Sequence, residues 1–301
     1  VLTTTAPPVP VLLAIASAGR GPVLEQTLRQ IAGLADRPDE VWLSVPAEEV
    51  SDPDALAAEF GALLPMPLRV LSGPRGLCAQ RNAVLEAASE EAVVLFLDDD
   101  FLLGDGSVTA LRDLFIARPD VVMATGRVIA DGIGGPGFDH ARGLALLRRP
   151  DGEGLAPIYN AYGCNMALRM ATAGHHGVRF DTELPLYGWL EDVDFSRAIA
   201  RHGEIVRCDG LWGVHLGTKK GRSRGVPLGY SQIANPIYLI RKGTMSPRRA
   251  LRLMVRNVMA NTGRALWPEP WIDRVGRLRG NLTALVDLLS GRLSPTRILD
   301  L

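Results

Sequence analysis

Three consecutive carboxylates, Asp98-Asp99-Asp100, directly follow the apolar run Ala92-Val93-Val94-Leu95-Phe96-Leu97. Carboxylates packed that closely repel one another, and a divalent cation is the usual remedy. About ninety residues later a second acidic group, Glu191, Asp192 and Asp194, follows Tyr187-Gly188-Trp189-Leu190. The dipole at the head of a helix would by itself favour these carboxylates. Trp189 beside Gly188 adds a flat apolar face for a sugar ring, and a carboxylate at that edge can take a proton from an incoming hydroxyl.

Both groups need elements to hold them. The apolar run before Asp98 reads as a buried strand of a mostly parallel sheet. Its carboxyl end is where open α/β sheets bind ligands. Further strands are expected over Pro10–Ala16, Glu40–Val45, Leu68–Leu71 and Val121–Ile129, with helices over Val23–Leu34, Asp52–Leu64, Gly76–Ala88 and Ser107–Ala117. Strands alternating with helices argue for right-handed βαβ units. The glycine-rich stretch from Asp131 to Gly137 reads as a loop. Beyond it the pattern predicts a strand near Tyr162–Leu168, a helix over Leu190–His202 and a strand near Glu204–Cys208, then mainly helix from Leu228.

The 301 residues, 47% hydrophobic, can bury a substantial core. Cys78, Cys164 and Cys208 are scattered and give neither a disulfide framework nor paired metal-ligand spacing, so a reducing, cytoplasmic setting is expected. No apolar run approaches the length of a membrane span, and Val1 to Thr5 lack the pattern of a secretory signal. The net charge of zero conceals an asymmetry: residues 1–215 hold 17 Lys/Arg against 29 Asp/Glu, and residues 216–301 hold 16 against 4. A basic tail on an acidic body suggests an anionic partner, or a tail that packs against the acidic half. Arginines 248, 249, 252, 256 and 264 lie among Leu251, Leu253, Met254, Val255, Val258 and Met259, with Trp267 and Trp271 beyond. Such helices lie peripherally at the inner face of an anionic membrane, pack on the catalytic domain, or form a homodimer. No nucleic-acid partner is expected, since aromatic stacking positions are not interleaved with the basic residues.

The order of these pieces resembles the family 2 glycosyltransferases with the GT-A fold, over roughly Val11 to Leu216. The resemblance is carried by Ser17-Ala18-Gly19-Arg20 after the first strand and by Gly76-Leu77-Cys78-Ala79-Gln80-Arg81-Asn82-Ala83. It continues through Phe96-Leu97-Asp98-Asp99-Asp100, Gly163-Cys164-Asn165-Met166-Ala167 and Gly188-Trp189-Leu190-Glu191-Asp192. It implies a flexible lead-in over 1–9 and a GT-A catalytic domain over 10–216, with a nucleotide-binding half to 130 and an acceptor-binding half from 131. A basic mobile loop over 217–227 and a helical C-terminal region over 228–301 would follow.

The implied activity is metal-dependent, inverting transfer of a sugar from a nucleotide-sugar donor to a hydroxyl of a glycan or lipid-linked acceptor. Asp98 would approach the ribose, Asp100 would hold Mg²⁺ or Mn²⁺, and Asp99 joins the donor-binding set without a separate role. Asp192 matches the general base, and Glu191 would orient the base or acceptor. Ser17 joins the donor-binding set, Arg20 would meet base or ribose, Arg81 a phosphate or Asp98, and Trp189 the sugar. His215 falls where some members place a further metal ligand, a donor set better suited to Mn²⁺. Lys219 and Lys220 would close over the diphosphate as part of a lid.

The chain departs from the family pattern after strand two, where many members carry an Asp-Asp-Gly-Ser type segment that contacts the base. Ser44 stands in its place, and uridine is the expected base. The other readings are a sugar-phosphate nucleotidyltransferase, which would want a better glycine-rich loop after strand one, and a non-catalytic carbohydrate- or membrane-binding protein on the same fold.

Overall fold

The computed structural model describes residues 9–152, 154–219, 225–267 and 269–301. Four strands form the first half of the sheet: β1 (Val11–Ala16), β2 (Glu40–Pro46), β3 (Leu68–Gly73) and β4 (Val93–Asp98). The apolar runs of β1 and β4 are buried on both faces, as central parallel strands must be. Between them run α1 (Gly21–Ala32), α2 (Pro53–Gly61) and α3 (Leu77–Ala87). Leu24, Thr27, Leu28 and Ile31 are the buried face of α1. Asp52 caps α2 by accepting from the N–H groups of Asp54 and Ala55.

The strand order is β3-β2-β1-β4, all parallel. The chain therefore moves outward from β1 to β3 and then returns to the other side of β1. That reversal opens a crevice at the carboxyl ends of β1 and β4. Ala16 lies in register with Asp98, so Ser17 and the aspartates leave the sheet side by side.

The second half mixes directions. It contains β5 (Phe101–Leu103), α4 (Ser107–Ala117), β6 (Val121–Asp131), α5 (His140–Leu146), β7 (Leu155–Pro157), β8 (Asn165–Arg169), α6 (Met170–His175), α7 (Glu191–Ile199) and β9 (Glu204–His215). Strand β8 is antiparallel to both β4 and β6, while β6 and β9 are parallel. Strands β1, β2, β3, β4, β6 and β9 run one way and β5, β7 and β8 the other, so the sheet is mostly parallel as expected.

Two expectations change here. The strand expected near Tyr162 begins only at Asn165. The last strand does not stop at Cys208 but runs to His215, so His215 ends the strand rather than lying beyond it. Gly213 breaks the apolar pattern for a packing reason. A Cβ there would stand 2.3 Å from the carbonyl oxygen of Leu102, so only glycine lets β9 pair with β5.

The tail forms α8 (Gly225–Lys242), α9 (Pro247–Ala265) and α10 (Arg274–Leu289). Leu239, Met245 and Ala250 enter the same core as Phe96 of β4, Met166 of β8 and Phe195 of α7. Among the three helices a buried amide network sets the packing: Asn261 donates to Gln232 and Asn281, and Asn281 donates to the Gly229 carbonyl. The tail is also tied to α7. Lys242 reaches both Asp181 and Asp194, Thr244 donates to Asp194 at 2.6 Å, and Asn235 donates to the Trp189 carbonyl at 2.7 Å. No described helix is long and apolar enough to cross a membrane.

Candidate active site

A cavity of about 470 Å³ occupies the crevice at the ends of β1 and β4. Ser17, Arg20, Gln80, Asp98 and Asp99 line it, together with Tyr187, Ile298 and Leu301. Ser17 donates its hydroxyl to Asp99 at 2.7 Å. Gln80 holds the floor by donating to the carbonyls of Ser17 and Ser44. Arg20 is committed to the triplet, with contacts of 2.6 Å to Asp99 and 2.9 Å to Asp100. Burial pushes the Asp99 carboxyl up to about 7, against the pull of Arg20.

Asp98, Asp100 and His215 form a compact cluster, each offering a ligand atom within 4.8 Å of the others. His215 Nε2 lies 3.4 Å from Asp100 and 3.8 Å from Asp98. Its Nδ1 faces Asp131 at 2.9 Å, and Asp131 also accepts from the Tyr162 hydroxyl at 2.9 Å. The parallel register of β6 and β9 pairs Asp131 with His215. A carboxylate behind the imidazole fixes which nitrogen faces the aspartates, an arrangement common behind histidine metal ligands.

Burial disfavours the charged form of His215, yet Asp100 and Asp131 together raise it to about 10. Burial would likewise raise Asp100, but His215, Arg20 and the Thr218 N–H outweigh it and hold this carboxyl well below the usual range. Asp98 moves up with burial, opposed by His215 and Arg81. The site thus draws positive charge to Nε2, and two carboxylates with one imidazole suit a divalent cation that accepts both oxygen and nitrogen.

The second acidic group comes from the start of α7. Leu190 precedes it with φ of 76°, a left-handed conformation costly for a branched side chain, of a kind often held at functional sites. Asp192 accepts from the Gly163 N–H at 3.1 Å and the Val193 N–H at 2.8 Å. A Cβ on Gly163 would stand 2.9 Å from Glu191 Oε1, so a larger residue there would push this carboxylate against its contact with Arg81. Burial pushes both Glu191 and Asp192 upward, and each is further raised by acidic neighbours while Arg81 pulls both back. The pair therefore releases its last proton above the ordinary carboxylate range.

Arg81 connects the two halves. It is 2% exposed, its guanidinium set against the edge-to-face pair of Phe96 and Phe180. Its guanidinium pairs with Glu191, donates to the Gly163 carbonyl at 2.8 Å and reaches Asp98 at 3.5 Å. A surface-helix position is therefore excluded. Arg81→Lys keeps the charge but not the fork, and should lower stability by about 1.5–3 kcal/mol in urea denaturation. An unchanged midpoint and slope would show that the fork is dispensable.

The structure thus brings Ser17, Arg20, Arg81, Asp98, Asp99, Asp100, Glu191, Asp192 and His215 into one neighbourhood. Asp98, assigned to the ribose by resemblance, shares the cluster of Asp100 and His215. Trp189 lines a small pocket with Pro227, Leu228 and Ser231 of α8, and the exposed aromatic at the main cavity is Tyr187. Lys219 donates to the carbonyls of Gly132 and Ile133. Lys220 lies outside the described residues. Gln80, Asp131 and Tyr162 went unrecognised in the sequence. Gln80 lies within the Gly76–Ala83 stretch, but nothing local marks Asp131 or Tyr162.

A family model described as "Glycosyl transferase family 2" matches residues 14–173. Among solved structures, the chain is similar to the mannosyltransferase PcManGT from Pyrobaculum calidifontis in complex with GDP-Man and Mn²⁺. That match has a TM-score of 0.57 and 17% identity and covers 94% of this chain and 87% of that one. It is also similar to S. aureus TarS, with a TM-score of 0.51 and 12% identity, over 94% of this chain and 50% of that one. No curated protein matches the sequence. At these identities the structural likeness shows the fold, which is of the GT-A type.

Proposed function

The chain belongs to glycosyl transferase family 2 and is a glycosyltransferase, and from that premise we propose metal-dependent, inverting transfer from a nucleoside-diphosphate sugar to an acceptor hydroxyl. One observation carries the proposal. Arg81 touches Asp98 of the cation cluster and Glu191 beside Asp192, so the two acidic groups belong to one reaction centre.

In this reading Asp98, Asp100 and His215 hold the cation, and Asp131 keeps the imidazole turned toward it. A divalent cation bound there would neutralise the diphosphate and the charge that develops on the leaving group. Ser17 and Gln80 shape the donor floor, and Arg20 keeps Asp99 and Asp100 in place. Asp192 takes the proton of the acceptor hydroxyl, whose oxygen attacks the anomeric carbon opposite the nucleoside diphosphate. The bond to the diphosphate breaks and the anomeric centre inverts. An upward-shifted carboxylate is a better base than an ordinary one. Glu191, held by Arg81, orients the acceptor or Asp192.

Uridine is the base read from the sequence, whereas the first structural neighbour is described with GDP-Man. A screen of uridine, guanosine and thymidine diphosphate sugars, with Mn²⁺ and with EDTA, tests the proposal. Turnover in Mn²⁺ that EDTA abolishes is the expected result, and turnover indifferent to EDTA would sink metal dependence.

Peripheral membrane contact through the tail is part of the proposal. Leu251, Val255 and Met259 form an exposed stripe on α9, and Leu282, Val286 and Leu289 one on α10. Flotation with phosphatidylglycerol vesicles should recover the protein at low salt and release it at high salt. Failure to float at either salt concentration would end this part.

A further inference from the structure

A second cavity, of about 240 Å³, lies between α7 and α9. Its wall includes Leu190 and Val193, on either side of the Glu191–Asp192 pair, and Tyr159 and Asn160 of the loop leading to Gly163. It therefore shares both of its catalytic-domain supports with Asp192, whose carboxylate is held by the Gly163 N–H. The opposite wall is basic. Arg249, Arg252 and Arg256 enter it from α9, at a spacing that places them on one face of the helix.

The ring of Tyr159 gathers further charge. Arg249 lies 3.8 Å from its centroid and Arg197 of α7 lies 4.6 Å from it, while Arg197 donates to the Tyr159 carbonyl at 3.0 Å. Several other arginines are paired: Arg20, Arg81, Arg112 and Arg118 each meet a carboxylate. Among the described residues, Arg197, Arg249, Arg252 and Arg256 form no ion pair with a carboxylate. Three guanidiniums, Arg249, Arg252 and Arg256, line one cavity without a carboxylate partner and repel one another, and an anion relieves that repulsion. All three are arginine, whose planar fork matches phosphate oxygens two at a time.

We propose that the cavity between α7 and α9 binds a phosphate group of the acceptor and so sets the neighbouring hydroxyl against Asp192. This rests on the reading of Asp192 as the base. The phosphate belongs either to a diphosphate, as in a carrier-linked acceptor, or to a phosphodiester within a polymer. In both cases the guanidiniums fix the charged group and leave the uncharged sugar or polyol to reach the reaction centre. The acidic sites at β4 and α7 would repel such an acceptor if it entered by the donor side, so the basic cavity also determines its orientation.

The full chain is titrated at low salt, in EDTA, with inorganic pyrophosphate for the diphosphate source and glycerophosphoglycerol for the phosphodiester source. EDTA prevents capture of either probe through a cation at Asp100. The double variant Arg252→Gln/Arg256→Gln should bind the preferred probe about 10–100-fold more weakly than the wild type. Arg279→Gln, on α10 and outside the cavity, controls for the loss of a positive charge and should match the wild type. Equal affinity in the wild type and the double variant overturns the proposal, as does failure of the wild type to bind either probe. Loss confined to phosphatidylglycerol vesicles would also overturn it and give the arginines to a bilayer surface. The titration needs no turnover. Absence of Mn²⁺-dependent nucleotide-sugar turnover in the wild type would therefore count against the transferase mechanism alone.

Discussion

Replacing Asp192 with Asn should leave donor binding intact and lower transfer by about 10²–10⁴-fold, the range lost with a general base. The amide is nearly the same size, and its oxygen can still accept one of the hydrogen bonds from the Gly163 and Val193 N–H groups. What it cannot do is take a proton. Wild-type kcat/KM should fall as pH drops, because the base must be deprotonated. Burial raises the Glu191–Asp192 pair, so the fall should be centred above the roughly 4 of an ordinary carboxylate. Titration calorimetry with a nucleotide sugar and a pH–rate profile read the two parts separately. Full activity in Asp192→Asn would remove the base assignment, and an acid limb near 4 would remove its electrostatic basis.

The second large effect belongs to Asp100. Asp100→Ala should weaken Mn²⁺ binding by more than the roughly 10–100-fold typical of losing an outer partner of a metal ligand, and donor affinity should fall with it. Asp100 is 2% exposed and meets Arg20, the Thr218 N–H and His215, so its loss removes charge from the centre of the cluster. Arg20 keeps its contact with Asp99, which should preserve the local fold. Mn²⁺ electron paramagnetic resonance reports the free cation directly, and a melting curve checks folding. Wild-type Mn²⁺ affinity in a folded Asp100→Ala would place the cation elsewhere.

Both residues stand out in the sequence, for a physical reason. Asp98–Asp100 end an unbroken apolar strand, and Glu191 and Asp192 begin a helix after a Gly-Trp pair, so chain order alone places them at element ends. How the triplet divides is less legible. Asp98 and Asp100 meet His215 while Asp99 turns to Ser17 and Arg20, a division made by the turn between β4 and β5. Asp131 was out of reach, because only the register of β6 on β9 brings it to a histidine 84 positions away. Arg81 lies on an amphipathic-looking helix. Its burial follows from the distant Glu191, Phe96 and Phe180. Trp189 had the composition of a sugar platform, but the left-handed Leu190 and the bond from Asn235 set its position against α8. For the tail, helical spacing gave the elements, whereas the buried amides of Gln232, Asn261 and Asn281 decide which faces remain outside.

Asp194 is 1% exposed, two residues from Asp192, and its charge is answered from α8 by Lys242 and just beyond it by Thr244. This constrains any attempt to recombine this chain with its relatives. A chimera joined after β9 would place a foreign tail over Asp194, and unless that tail supplies a cation and a hydroxyl donor, a buried carboxylate is left uncompensated two residues from Asp192. Asp181, Asp194, Lys242 and Thr244 therefore have to be exchanged as a set. In this architecture, changing the tail to redirect acceptor choice is also an operation on the reaction centre.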